Sequence, residues 1–133
     1  MAEKIQFELV SPARLLVSSP VDMVVVPGSE GDFGALVRHA PMITAVRPGV
    51  IVVHDGGKVS SSTFVAGGFA DVNEDRITVL AEEAIPVGEL TAGMAAARMA
   101  MAKEALDDAR TEREKSRAGR LLRIAEAMEE ALR

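Results

Sequence analysis

The chain has no cysteine, no tryptophan and no tyrosine, and its only aromatic side chains are Phe7, Phe33, Phe64 and Phe69. Without cysteine there is no disulfide and no thiolate metal site, which is compatible with a reducing cytoplasm. Without Trp or Tyr the usual aromatic platform for a sugar is missing, and the core must be built from Val, Ile, Leu, Met and Ala. Long apolar runs are missing too. Met23 to Val26 and Val50 to Val53 fall far short of the ~20 residues that a membrane-spanning helix requires. Residues 1 to 8 mix Glu and Gln with apolar side chains, so no signal or transit peptide is expected, which favours a bacterial cytoplasmic protein over an imported one.

An excess of positive charge is also absent. The net charge is −5, and residues 1–86 carry all of it, with 6 basic and 11 acidic side chains against 9 and 9 in residues 87–133. An acidic body with a balanced tail offers no electrostatic footprint for a phosphate backbone, so nucleic acid is not an expected partner. What remains is a globular composition, 48% hydrophobic and 26% charged, at a length suited to one domain or a small domain with an appendage.

The chain changes character near Pro86. Before it, Ile5 to Leu9 alternates apolar and polar residues, and Val21 to Val26, Val50 to Val53 and Ile77 to Leu80 are rich in β-branched residues, all strand signatures. Turn chemistry separates them at Pro27-Gly28, Ala40-Pro41, Pro48-Gly49, Asp55-Gly56-Gly57 and Asn73-Glu74-Asp75. Short strands at this spacing predict a sandwich or flattened barrel over residues 1–86, with Val50 to His54 and Lys58 to Ala66 as the clearest hairpin.

Beyond Gly88 the sequence turns to Ala, Met, Leu, Arg and Glu without proline, which predicts helices. Met94, Ala97, Met101 and Ala105 share one helical face, as do Leu121, Ile124, Ala125, Met128 and Leu132. Between them Asp107 to Arg117 lacks large apolar residues. Thr111 with Glu114 has the capping-box form and Ser116 is a second N-cap candidate, so a helical hairpin is expected over 87–133; its rival is one long helix broken at Gly119. A seam of Ala and Met buries less area than a Leu seam, so the hairpin should be marginal alone and easy to detach.

No catalytic constellation emerges. Gly28 to Gly34 is glycine-rich but lacks a Gly-Lys-Ser/Thr ending and carries two carboxylates that would repel phosphate, so its glycines read as turn residues. His39 and His54 have no second histidine at ligand spacing. Asp71, Glu74 and Asp75 surround a turn and read as a solvated hairpin end, although a small carboxylate hydrolase there, or a free sandwich binding a small ligand, stays open as a rival. Residues 110–123 hold 6 basic and 2 acidic side chains, either a solvated face or a dock for an acidic protein surface.

Five ordered blocks carry a resemblance: Val26 to Leu36 (VPGSEGDFGAL), His39 to Thr44 (HAPMIT), Pro48 to Ile51, Gly67 to Val72 and Ile77 to Glu82. Together they closely resemble the ε-subunit family of bacterial F-type ATP synthases, across nearly the whole body; the tail agrees in length and helical character. The resemblance implies a ten-stranded β-sandwich followed by a two-helix antiparallel hairpin, in a non-catalytic central-stalk subunit without cofactor or metal. In that family the sandwich is clamped between the γ subunit and the ring of c subunits at the cytoplasmic face of the inner membrane, serving ATP synthesis coupled to hydrogen ion transport.

Carried over by position, the resemblance implies c-ring contact at Ser29, Glu30, Gly31, Asp32, Phe33 and His39, with Asp32 as the acidic position. It implies γ-subunit contact at Ser11, Met42, Ile43 and Thr44. In the family the hairpin can fold against the sandwich or extend toward the α and β subunits and restrain ATP hydrolysis, a contact that would fall here on Arg110, Arg113, Arg117, Arg120 and Arg123. Some members bind ATP through a motif that reads Leu90 to Ala95 here, with Thr91 in place of its Asp and Met94 in place of its Arg. Loss of the guanidinium fork removes the phosphate grip, so no nucleotide binding is expected.

Overall fold

The computed structural model describes residues 3–133, apart from the side chain of Arg14. Ten strands come first: β1 (Ile5–Ser11), β2 (Arg14–Val21), β3 (Met23–Gly28), β4 (Gly31–Ala35), β5 (Met42–Val46), β6 (Gly49–Asp55), β7 (Lys58–Val65), β8 (Gly68–Val72), β9 (Arg76–Ala81) and β10 (Ala84–Pro86). A 3-10 turn at Val87–Glu89 leads to α1 (Ala92–Asp108) and α2 (Glu112–Ala131). The chain divides after Pro86 into two compact units.

In the first unit the period-2 pattern decides which side chains are buried. On β1, Ile5, Phe7 and Leu9 are buried and the residues between them are partly exposed. On β9, Ile77, Val79 and Ala81 are buried, and on β8, Ala70 and Val72. Hydrogen bonding runs in one path, β10-β7-β6-β3-β5-β8-β9-β1-β2, with β4 added to β3. The junction of β3 with β5 is a single register pair, Gly28 with Val46, and there the path passes from one leaf of the sandwich to the other. Inward residues of both leaves, among them Phe7, Leu9, Val24, Val26, Ile51, Val65 and Val79, form one core. Full burial of such a side chain contributes about 1.5–3 kcal/mol. Strand β1 pairs in parallel with β9 and antiparallel with β2.

The expected β6–β7 hairpin is present, and its loop is the two residues Gly56 and Gly57, at φ 65° and 78°. Two consecutive left-handed residues are the demand of a type I′ turn, which glycine meets without steric cost. The apolar run Val21 to Val26 is two strands rather than one. Asp22 interrupts it, its N–H donating to the His54 carbonyl at 3.1 Å and its carboxylate accepting from the Gly56 N–H at 2.8 Å. Lys4 reaches the same corner, with Nζ 2.7 Å from Asp55 Oδ1 and 3.9 Å from Asp22 Oδ1. Its hydrogen bond to Asp55 raises the Lys4 pKa and lowers that of Asp55.

The second unit is a helical hairpin with only residues 109–111 between its helices. Thr111, not Ser116, caps α2: its hydroxyl accepts from the Glu114 N–H at 3.1 Å, and Glu114 Oε1 accepts from the Thr111 N–H at 3.1 Å. The seam on α2 follows expectation at Ile124, Ala125 and Met128, adds Ala118, and leaves Leu132 exposed. On α1 the expected stripe is displaced. The buried positions are Ala95 and Ala102, while Met94 and Met101 are exposed. Methionine at the seam would hold the helices apart where alanine permits close approach, so the smaller side chains take the inner face.

Candidate partner-binding site

Three surfaces gather the residues singled out by sequence. The first is the tip of the β3–β4 hairpin. Strand β3 pairs with β4 from Val24–Ala35 to Gly28–Gly31, which leaves Ser29 and Glu30 as a two-residue turn. Gly28 must be glycine, since a Cβ there would lie 2.8 Å from the Gly31 carbonyl oxygen and 3.1 Å from the Phe33 ring. The Phe33 and His39 rings lie 6.2 Å apart at 45°, and His39 Nδ1 is 2.7 Å from the Ala40 carbonyl oxygen. Ser29, Glu30, Gly31, Asp32, Phe33 and His39 are therefore brought together.

The state of Asp32 differs from a free acidic position. Its carboxylate accepts a hydrogen bond from Arg47 Nη2, an ion pair that no sequence spacing revealed. Arg38, beside His39, holds a left-handed backbone at φ 70°, with its N–H donating to the Glu74 carbonyl at 2.5 Å and its guanidinium paired with Glu3. Glu74 thus belongs to a bonded turn, in which the Asn73 N–H also donates to the Arg76 carbonyl at 2.7 Å. No group of three or more potential metal ligands occurs among the described residues.

The second surface is the outer face of the leaf β5-β8-β9-β1-β2. Register places Ala45 opposite Phe69, Phe69 opposite Leu80, Leu80 opposite Val10 and Val10 opposite Leu15, an apolar row across five strands. Phe69 is 60% exposed, Leu80 56% and Leu15 57%. Around the Phe69–Leu80 end lies a shallow apolar depression of about 350 Å³, lined also by Val10, Ser11, Pro12 and Glu82. Ile43, 75% exposed, stands on the same face two residues from Ala45. Met42 and Thr44, expected to share a contact with Ile43, have the opposite parity: Met42 packs against the core and Thr44 is half-buried. Successive strand side chains point to opposite faces, so Ile43 alone of the three presents its side chain on this one.

The third surface is on the helical hairpin. Arg113, Ser116, Arg117, Arg120 and Arg123 line one open groove of about 610 Å³ on α2. Among the described residues none of these four guanidinium groups makes an ion pair. Arg110 does not join them, since its Nη1 donates to the carbonyls of Asp107 at 3.0 Å and Ala109 at 3.4 Å at the end of α1. At the other end of α1, Thr91 is the N-cap, its hydroxyl accepting from the Met94 N–H at 3.1 Å. Among the described residues no helix is long and apolar enough to cross a membrane.

Sequence reading missed Arg47 and the outer apolar row. The row had a signal: Phe69 shares strand parity with Asp71, and Leu80 with Thr78, so both belong to the polar face. Arg47 had none, because its partners lie 15 and 19 residues away.

Comparison with known proteins bears on the chain as a whole. Residues 4–87 match the family model of the beta-sandwich domain of the ATP synthase Delta/Epsilon chain. The ATP synthase epsilon chain of Paramagnetospirillum magneticum is 79% identical over 132 residues, 99% of each chain. That of Rhodospirillum rubrum is 56% identical over 128 residues, 96% of each. Among solved structures, a chain of the Euglena gracilis mitochondrial ATP synthase (OSCP/F1/c-ring, rotational state 1) superimposes with a TM-score of 0.82 at 24% identity. The match covers 100% of this chain and 84% of that one. A chain of the Tetrahymena thermophila mitochondrial ATP synthase central stalk and c-ring gives 0.77 at 13% identity, covering 99% and 98%. At these identities the two structures establish the fold.

Proposed function

The chain belongs to the ATP synthase Delta/Epsilon family, and on that premise we propose that it is a non-catalytic central-stalk subunit that joins the γ subunit to the c-ring. The observation that carries this reading is the outer apolar row Ala45–Phe69–Leu80–Val10–Leu15. An apolar row on one face of a small sandwich, with Phe69, Leu80 and Leu15 each more than half exposed, marks a protein-binding surface. We assign this face, with Ser11 and Ile43, to γ, and the β3–β4 tip with Phe33 and His39 to the polar loops of the c-ring. Met42 and Thr44 support that face from within.

The groove lined by Arg113, Arg117, Arg120 and Arg123 suits an acidic surface of the α or β subunits, and its occupation would restrain ATP hydrolysis. The two-unit division fits that separation of tasks, with the sandwich gripping the rotor and the hairpin regulating. The subunit would then sit peripherally at the cytoplasmic face of the bacterial inner membrane. Isolation of the tagged protein from gently solubilised membranes tests the reading: α, β, γ and c subunits should accompany it. Recovery as a free monomer without them overturns it.

A further inference from the structure

The tip of the β3–β4 hairpin carries two carboxylates, and the structure treats them differently. Asp32 is paired with Arg47, and Arg47 does more than neutralise it. Its Nη1 donates to the Gly28 carbonyl at 2.6 Å, and its backbone N–H donates to the Pro27 carbonyl at 2.9 Å. Pro27 and Asp32 are register partners on β3 and β4, so one residue from the β5–β6 connection grips both strands of the hairpin. The Ser29 N–H adds a bond to the Ala45 carbonyl at 2.9 Å. The approach is tight on that side as well, since a Cβ at Gly49 would lie 3.0 Å from Pro27 Cβ. Glu30 stands in the exposed turn, and among the described residues it has neither a hydrogen bond nor an ion pair.

We propose that Glu30 is the charge this tip offers to a basic partner loop, and that Arg47 is the positioning residue that latches the hairpin through Gly28 and Asp32. The proposal rests on the reading of the tip as the c-ring contact, and it changes which carboxylate does the recognising. An ion-paired Asp32 presents a small dipole, whereas Glu30 presents an uncompensated unit charge that attracts over roughly a Debye length, about 8 Å at physiological salt. Glu30 therefore governs the steering and salt dependence of docking, and Asp32 with Arg47 governs its geometry.

The test uses the full chain rebinding to membranes whose ATP synthase lacks this subunit, at low and high salt, together with amide hydrogen exchange of Ser29 to Phe33 in the free chain. Glu30→Gln should weaken binding by about three- to tenfold at low salt, flatten its salt dependence and leave hairpin protection unchanged. Arg47→Ala should lower that protection and weaken binding at both salt concentrations. The exchanged pair Asp32→Arg with Arg47→Asp re-forms the ion pair but not the bond to the Gly28 carbonyl, so it should restore protection in part and binding in step with it, because the pair acts internally. A restored hairpin that still fails to bind would overturn the assignment by making Asp32 a direct contact, as would Glu30→Gln binding like the wild type. Unchanged exchange in Arg47→Ala would remove the latch. If the wild-type chain fails to rebind, the c-ring reading itself fails along with the role of Glu30, while exchange in the free chain still decides the latch.

Discussion

Phe69 on β8 lies directly opposite Leu80 on β9, both on the outer face and both more than half exposed, while their neighbours Ala70 and Val79 form the matching pair in the core. Two adjacent rows thus separate the core from the face proposed to bind γ. Phe69→Ser with Leu80→Ser should change unfolding free energy by no more than about 0.5 kcal/mol per site, as surface substitutions do, yet abolish co-isolation with γ. Leu9→Ala, at a fully buried site, should cost about 2–5 kcal/mol. Denaturant unfolding and co-isolation together check the contrast.

Gly68 precedes Phe69 and fixes its place. Its φ of 145° lies outside the range that L side chains readily adopt, and a Cβ there would overlap the Leu80 carbonyl oxygen. Gly68→Ala should therefore cost at least about 1–3 kcal/mol from backbone strain alone and pull β8 away from β9. The readout is a fall in thermal midpoint with exchange broadening of Phe69 and Leu80 resonances, whereas the same change at Gly88, where a Cβ meets nothing, should leave both untouched.

The capping box of α2 sets a pH dependence. The Glu114 carboxylate accepts from the backbone N–H groups of Arg110 and Thr111, and these bonds hold its pKa below the ordinary value of 4.5. A lowered folded-state pKa means that the contribution is complete above the unfolded value and is lost as pH falls through the folded one. The first turn of α2 should fray on acidification within the carboxylate range, seen as loss of amide protection at Thr111 to Lys115. Glu114→Gln should remove that pH dependence, and Thr111→Ala should cost ~1 kcal/mol of helix stability at neutral pH.

The sandwich was legible because its strands alternate: Ile5, Phe7 and Leu9 stand in the core as their spacing requires. The helical hairpin was legible through Thr111 and Glu114, whose capping chemistry is local. What sequence did not reveal depends on contacts between distant segments. The bend at Asp22, fixed by His54 and Gly56, divides an apolar run that reads as one strand. The pairing of Arg47 with Asp32 turns a free carboxylate into half of a latch. On α1 the stripe of Met94 and Met101 had the right period on the wrong face, since periodicity gives the spacing of a seam while packing chooses its side chains.

An alanine seam has a consequence for dynamics. The fully buried side chains of α1 are only Ala95 and Ala102, so that helix gains little area on packing. Amides of α1 should exchange faster than those of β1, β8 and β9 in the isolated chain. Enlarging the seam with Ala102→Leu should not help, because overpacking a close helix contact is itself destabilising by about 1–3 kcal/mol. Equal protection of α1 and the central strands would show that the hairpin is held as firmly as the sheet.

The start of α1 is where a response of the hairpin to nucleotide can be tested. Thr91 keeps the capping role that an Asp at this position would also perform, so its hydroxyl is committed to the Met94 N–H. Met94 is 36% exposed and offers a thioether where a guanidinium would be needed to fork onto a phosphate. Titration with millimolar ATP should leave the amide resonances of Leu90 to Arg98 without saturable shifts. Restoring both groups, Thr91→Asp with Met94→Arg, keeps an N-cap and adds the missing cation, so the helix should form as before. If that double variant gains saturable ATP binding while the wild type has none, these two positions alone account for the loss. Saturable shifts in the wild type would mean that phosphate is held by other groups of the hairpin.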